Sequence, residues 1–263
     1  MASINEIFDF LNRKAPIEYK MEFDNPGFLV GSGEWETDKL LLALDITDEV
    51  IDEAAERGAG LIVSHHPLFF SLKSVTDKTS QGARAVKMIE HKIAGICMHT
   101  NLDAVHEGVN DALAERLGLG EIEPFELSGA DGEGNFYGIG RIGRMKEPME
   151  LAEFLKLVKE RLNGNGLRYH DAGRSVSRVA VGGGSCGNYL ELAAQKGCDT
   201  FVTSDVKYDT FLDAKRMGIN LIDADHFCTE NVVIPVLERW LRAEFPELTV
   251  MVSQRHAQTA QFF

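Results

Sequence analysis

The chain has 263 residues, 44% hydrophobic and 26% charged, which supports a sizeable core in one large or two compact domains and excludes disorder as the main state. Its net charge of −14, from 27 basic against 41 acidic side chains, repels phosphate backbones, and no Lys/Arg run concentrates positive charge to reverse that. No apolar run approaches the ~20 residues that span a bilayer, and the amino terminus has no basic region followed by an apolar stretch, so no signal peptide and a cytoplasmic location are expected.

Ser3 to Asn12 carries Ile4, Ile7, Phe8 and Leu11 at helical spacing, with Ser3 as the N-cap. Asn25-Pro26-Gly27 is turn chemistry. Leu40 to Leu44 reads as a strand with Asp45 at its end, and Thr47 to Arg57 as a helix capped by Thr47 and closed by Gly58. Gly60 to Ser64 is a short apolar run leading into His65-His66-Pro67, where the proline ends the strand. A loop from Ser71 to Thr79 leads to a helix through Glu90. Ile93 to Met98 is the next strand, closed by His99-Thr100-Asn101-Leu102-Asp103, and Glu107 to Leu117 is helical.

Glu121 to Gly134 is acidic and contains glycine, and it is read as an exposed connection. The expected division is therefore 1–124 and 125–263, with interweaving of the two allowed. Phe136 to Ile142 reads as a strand, Met149 to Leu162 as a helix and Gly164-Asn165-Gly166 as a turn. A second α/β run begins at Val179 to Val181. It continues through a glycine turn, a helix to Lys196, strand Thr200 to Thr203, a helix to Met217 and strand Asn220 to Ile222. One long helix from about His226 to Glu244 and a last strand, Leu248 to Val252, complete the reading.

Strands alternating with helices imply an α/β fold: two related domains with mostly parallel sheets flanked by helices. Arg57 to His66 lines up with Lys196 to Asp205, and the next strand of each half also ends in polar groups. Halves facing each other would bring these ends into one metal cleft, although generic βαβ grammar gives the same echo.

Three polar clusters sit at strand ends: His65-His66, His99 through Asp103, and Asp225-His226 through Glu230. Adjacent strand residues point to opposite faces, so His65 and His66 serve one site only if the backbone turns there. His226 and Glu230, four apart on a helix, share a face. Each cluster alone has a plainer reading: a polar loop, a helix cap at Asp103, a hydrogen-bonded wall residue at His99, a surface pair at His226 and Glu230. Together, three imidazoles and two carboxylates suit two ions bridged by one carboxylate better than one ion with an open position. Zinc, iron, manganese and nickel all accept such donors. The four cysteines, Cys97, Cys186, Cys198 and Cys228, lack Cys-x-x-Cys spacing, so neither a zinc ribbon nor a disulfide framework is expected. Gly182 to Ser185 is either a tight strand-to-helix connection or an anion-binding turn.

These segments resemble a known family. Ser64-His65-His66-Pro67, His99 to Asp103 and His226 to Glu230 look like the three motifs of the dinuclear-metal-centre proteins called GTP cyclohydrolase 1 type 2, or NGG-interacting-factor-three-like proteins. Phe23 to Gly31, Gly182 to Ser185 and Ser204 to Tyr208 extend the likeness nearly end to end. The resemblance implies one ion on His66 and Asp103, another on His65 and His226, and Glu230 bridging them. It also implies a hexameric ring of two-domain subunits, without the extra domain that some members insert. Asp209 stands where members commonly have histidine, and Asp225 where glycine is usual.

A water-accessible two-metal site performs hydrolysis. The family label implies hydrolytic opening of the guanine ring of GTP with release of formate, with Glu230, His99 and Asp205 as catalytic or proton-transfer candidates. Other readings are a hydrolase of another substrate, such as a phosphoester, and a non-catalytic metal-binding scaffold ring. A nucleic-acid ring is disfavoured by the charge.

Overall fold

The computed structural model describes every residue except Glu133, Asn135 and Phe263. Glu133, within the acidic connection read from the sequence, thus lies outside the described residues. The chain divides into two units, residues 1–105 with 234–257 and residues 106–233 with 258–263. The division therefore falls at Val105/His106, ahead of the acidic stretch, and the chain re-enters the first unit for its last helix and strand.

In chain order the main strands are β1 (Gly27–Val30), β2 (Lys39–Ala43), β3 (Leu61–Ser64), β4 (Ala94–Cys97), β5 (Gly120–Pro124) and β6 (Arg141–Met149). They continue with β7 (Arg168–His170), β8 (Val176–Val181), β9 (Thr200–Thr203), β10 (Asn220–Asp223) and β11 (Thr249–Val252). The first unit holds a five-stranded sheet in the order β11-β2-β3-β4-β1, parallel except for edge strand β1. The second holds a six-stranded sheet in the order β7-β10-β9-β8-β6-β5, with β8, β9 and β10 parallel and antiparallel strands flanking them.

The helices form where caps and apolar spacing coincide. α1 (Ile4–Lys14) starts at a capping box, Ser3 with Glu6, and buries Ile4, Ile7, Phe10 and Leu11; Phe10 takes the buried position expected for Phe8. α2 (Asp48–Arg57) is capped by Thr47 and ends at left-handed Gly58, where φ is 70°. α3 (Ser80–Glu90) is capped by the Thr79 hydroxyl. With α2 and α3, strands β2 to β4 make a parallel unit whose core includes Leu41, Val50, Ile62 and Met88.

The second unit repeats this pattern with β8, the helix α7 (Leu190–Gln195), β9, α8 (Tyr208–Met217) and β10. The echo between residues 57–66 and 196–205 is thus a repeated βαβ order, with β3 and β9 central in their sheets. Phe154 of α6 (Leu151–Arg161) packs with Leu113 and Leu117 of α5 (Val109–Leu117) over Val179, Val202 and Ile222.

The single helix expected from His226 to Glu244 is three pieces. These are α9 (His226–Glu230), a 3-10 turn (Asn231–Val233) and α10 (Ile234–Glu244). Pro235 is the cause, since its ring would clash with the Asn231 carbonyl of a continuous α-helix, whereas a proline is tolerated in the first turn of a new one. A further five-residue helix, α4 (Thr100–Ala104), follows β4 as α9 follows β10.

Candidate metal centre

In the first unit, the backbone turns at the end of β3. The amides of His65 and His66 both donate to the Leu44 carbonyl, at 3.2 and 2.9 Å, and the Ser64 hydroxyl donates to the His66 carbonyl at 2.8 Å. That turn lets two adjacent imidazoles share one side, with ring centroids 5.0 Å apart. The ring of His99, just past β4, lies 5.2 Å from that of His65 and 5.4 Å from that of His66. One donor atom from each of the three can be chosen so that all lie within 4.8 Å of one another.

Each ring is held through Nδ1. His65, fully buried, donates Nδ1–H to the Met98 carbonyl at 2.8 Å. A carbonyl only accepts, so the neutral ring carries its lone pair on Nε2. His66 Nδ1 lies 2.8 Å from Asp45 Oδ1, and His99 Nδ1 lies 2.7 Å from Asp24 Oδ1. Burial pushes the Asp24 carboxyl up, but hydrogen bonds from His99 and Thr100 outweigh it and bring the pKa down to about 2. At Asp45, burial likewise acts upward, and the bonds from two imidazoles hold the group well below the usual carboxylate range. Both carboxylates are ionised at neutral pH and accept only, which sets Nδ1–H on His66 and His99, so that in the neutral ring the lone pair is on Nε2.

Asp103 rides on α4, whose entry is tied down: the His99 amide donates to Asn101 Oδ1 at 2.9 Å, and Asn101 Nδ2 donates to the Ala15 carbonyl at 2.6 Å. Its Oδ1 lies 3.7 Å from His65 Nε2. Beside this group, the exposed ring of Phe70 stands 5.8 Å from His99 and 6.2 Å from the exposed ring of Phe23.

In the second unit, His226 opens α9. Its Nδ1 lies 2.7 Å from Asp205 Oδ2 and its Nε2 lies 3.0 Å from Glu230 Oε2, one helical turn on. Glu230 is buried. With Nδ1–H given to Asp205, the nitrogen facing Glu230 is a lone pair opposite a carboxylate unless the ring is charged, an arrangement that a divalent cation satisfies. Asp225 caps α9 by accepting the Cys228 amide at 3.1 Å, and its φ of 73° and ψ of 138° are a conformation that glycine adopts without strain.

The Gly182 to Ser185 turn is a close-packed connection. The amides of Gly182, Gly183 and Gly184 donate to Val202 O, Asn110 Oδ1 and Thr229 Oγ1. Committed to protein acceptors, these three amides serve the connection itself and not an anion. A Cβ on Gly184 would overlap Glu230 Oε1 outright and lie 3.2 Å from His226 Nε2.

The cysteines do not join this chemistry. Burial pushes the thiol of Cys97 well up and that of Cys228 to about 12, in each case reinforced by nearby aspartate. The donors present are imidazoles and carboxylates, which fit a divalent transition metal. Asp24 and Asp45 were not legible as groups holding His99 and His66, although Asp45 at a strand end beside the histidine-bearing strand was the available signal. Asp209 is exposed and bonds locally, its Oδ1 accepting the Thr210 amide.

Comparison with known proteins gives a consistent result. A family model described as Duf34/NIF3 (NGG1p interacting factor 3) matches residues 2–259. A protein of Clostridium perfringens named GTP cyclohydrolase 1 type 2 homolog is 38% identical over 239 residues, 90% of each chain. One of the same name from Clostridium acetobutylicum is 34% identical across 98% of each. Among solved structures, a Bacillus cereus protein related to NIF3 has a TM-score of 0.94 at 26% identity, covering 100% of this chain and 99% of that one. A Staphylococcus aureus protein has a TM-score of 0.90 at 30% identity, with 99% of each covered.

Proposed function

Because the chain belongs to the Duf34/NIF3 family, we propose that it is a dinuclear metal-dependent hydrolase acting on GTP or a closely related purine nucleotide. His66 and Asp103 would hold one ion, His65 and His226 the other, and Glu230 would bridge them. When bound, the ions would supply water acidified to hydroxide near neutral pH and would polarise the group under attack.

The observation that carries this reading is the common anchoring of the histidines: Nδ1 of each is held by a carboxylate or carbonyl, which orients Nε2 as the metal donor. His99, held by Asp24, would take or return a proton beside the metal-holding groups. Asp205 holds His226 in the orientation that faces Glu230. Phe70 and Phe23 offer exposed ring faces against which a planar purine can stack. The names of the relatives favour GTP as the first substrate to try. Assembly into a hexameric ring in the cytoplasm completes the proposal; among the described residues no helix is long and apolar enough to cross a membrane.

The test is formate release from GTP by protein loaded in turn with iron, zinc, manganese and nickel. Metal-dependent turnover that disappears in Glu230→Ala, with assembly retained in sedimentation, supports the enzyme. Full metal loading without turnover of GTP or of phosphoesters moves the protein to a metal-holding scaffold.

A further inference from the structure

Asp45 carries a second imidazole. While its Oδ1 lies 2.8 Å from His66 Nδ1, its Oδ2 lies 2.9 Å from Nε2 of His256, close to the end of the chain. The Asp45 amide also lies 3.2 Å from this nitrogen, but the shorter approach of an ionised carboxylate places the Nε2 proton on the carboxylate side, so His256 donates and Asp45 accepts from both rings.

The segment that delivers His256 is strapped to the unit by a buried acid. Past β11, the Ser253 amide donates to the Leu42 carbonyl at 2.8 Å, extending the ladder with β2 by one residue. Ser253 then donates its hydroxyl to Glu53 Oε2 at 2.6 Å and accepts the His256 amide at 3.1 Å. The amides of Gln254 and Arg255 also donate to Glu53, at 3.1 and 3.2 Å. Glu53 sits buried on α2, where Arg57 Nη1 meets its other oxygen at 2.6 Å, and Arg255 pairs with Glu56 next to it. A carboxylate taken out of water is tolerated only when hydrogen-bonded, and these donors come chiefly from the strap.

We propose that His256 is a positioning residue for His66: held in place by Glu53, it occupies the second oxygen of Asp45 and so fixes the carboxylate that orients the His66 ring for metal binding. With only one oxygen bonded, Asp45 can rotate about its terminal torsion; with both bonded, the plane of the carboxylate is set, and with it the direction of His66 Nε2. The proposal rests on His66 being a metal ligand.

The experiment titrates Zn2+ into metal-free protein against a chromogenic chelator, for wild type, His256→Ala and His256→Gln. In parallel, 15N-edited spectra of metal-free protein follow the Nδ1–H proton of His66. Loss of an orienting partner weakens binding about 10–100-fold. The expected result is that His256→Ala weakens one zinc equivalent by at least about tenfold and broadens the His66 Nδ1–H signal. His256→Gln, whose amide can still donate to Asp45, restores most of both. Native affinity and an unchanged ring proton in His256→Ala overturn the proposal. Failure of the wild type itself to bind zinc is a different result, and it removes the ligand reading beneath the proposal. A variant that merely misfolds is recognised by a lowered melting temperature shared by Ala and Gln.

Discussion

A side chain at Gly184 would meet both candidate ligands of the second unit. Its φ is 63°, and a Cβ there would overlap Glu230 Oε1, lie 3.0 Å from Glu230 Cδ and 3.2 Å from His226 Nε2. Gly184→Ala therefore carries two costs. An alanine in the left-handed region costs about 1–2 kcal/mol, and crowding a packed interior adds about 1–3 kcal/mol. Because Glu230 is buried and the Gly184 amide is bonded to Thr229, neither side can yield without losing a contact. The expected loss is about 2–5 kcal/mol in urea denaturation of metal-free protein, the sum of those two terms. If Glu230 gives way instead of the backbone, stability falls less but zinc affinity falls by about tenfold or more, as for loss of a ligand's orientation. Gly183→Ala is the comparison: its nearest neighbours are Val109 Cγ1 at 3.0 Å and Glu230 Cγ at 3.4 Å, with no positive φ, so only the crowding term of about 1–3 kcal/mol applies and its cost is the smaller. A Gly184→Ala protein with native stability and native zinc affinity would show that Gly184 is not crowded against these two groups.

The opposite outcome is expected at Asp225, whose positive φ stores about 1–3 kcal/mol of strain while a glycine N-cap loses only a few tenths relative to aspartate. Asp225→Gly should thus raise the thermal midpoint, and Asp225→Ala, which keeps the strain and removes the cap, should lower it. Asp24→Ala leaves His99 and the Thr100 amide and hydroxyl without their acceptor and should cost about 1–3 kcal/mol in denaturant titration. The folded pKa of Asp24 is about 2 against an ordinary 3.8, so its contribution is present above pH ~4 and is lost as pH falls toward 2; the variant should show a flatter acid limb across that window. In a GTP assay, Phe70→Ala should raise KM with little change in kcat, and Phe70→Tyr should restore it; equal KM for all three would remove the stacking role.

The clusters at the strand ends were legible because short apolar runs stop abruptly at histidine or aspartate, as at Ser64-His65 and Asp223-Ala224-Asp225. What periodicity cannot carry is contact across distance. Asp24 meets His99, and Asp45 meets His66 and His256, through folding alone, and no spacing rule joins them. Strands β5 and β7 escaped notice because both are edge strands with largely exposed side chains and lack the alternation of a half-buried strand. The apolar repeat running from His226 to Glu244 concealed the break at Pro235, where proline overrides a pattern that otherwise reads as one helix. The five-residue helix bearing Asp103 is too short for any periodic signal and depends on the Asn101 and Asp24 contacts around it.

Metal content decides the proposed two-ion site of His65, His66, Asp103, His226 and Glu230. Elemental analysis of native protein, reconstituted anaerobically with iron, zinc or manganese, should give about two ions per chain. A protein carrying both His66→Ala and Glu230→Ala should lose most of them while keeping its melting behaviour. Native protein that stays empty after reconstitution, or a double variant that keeps both ions, would rule the two-ion site out.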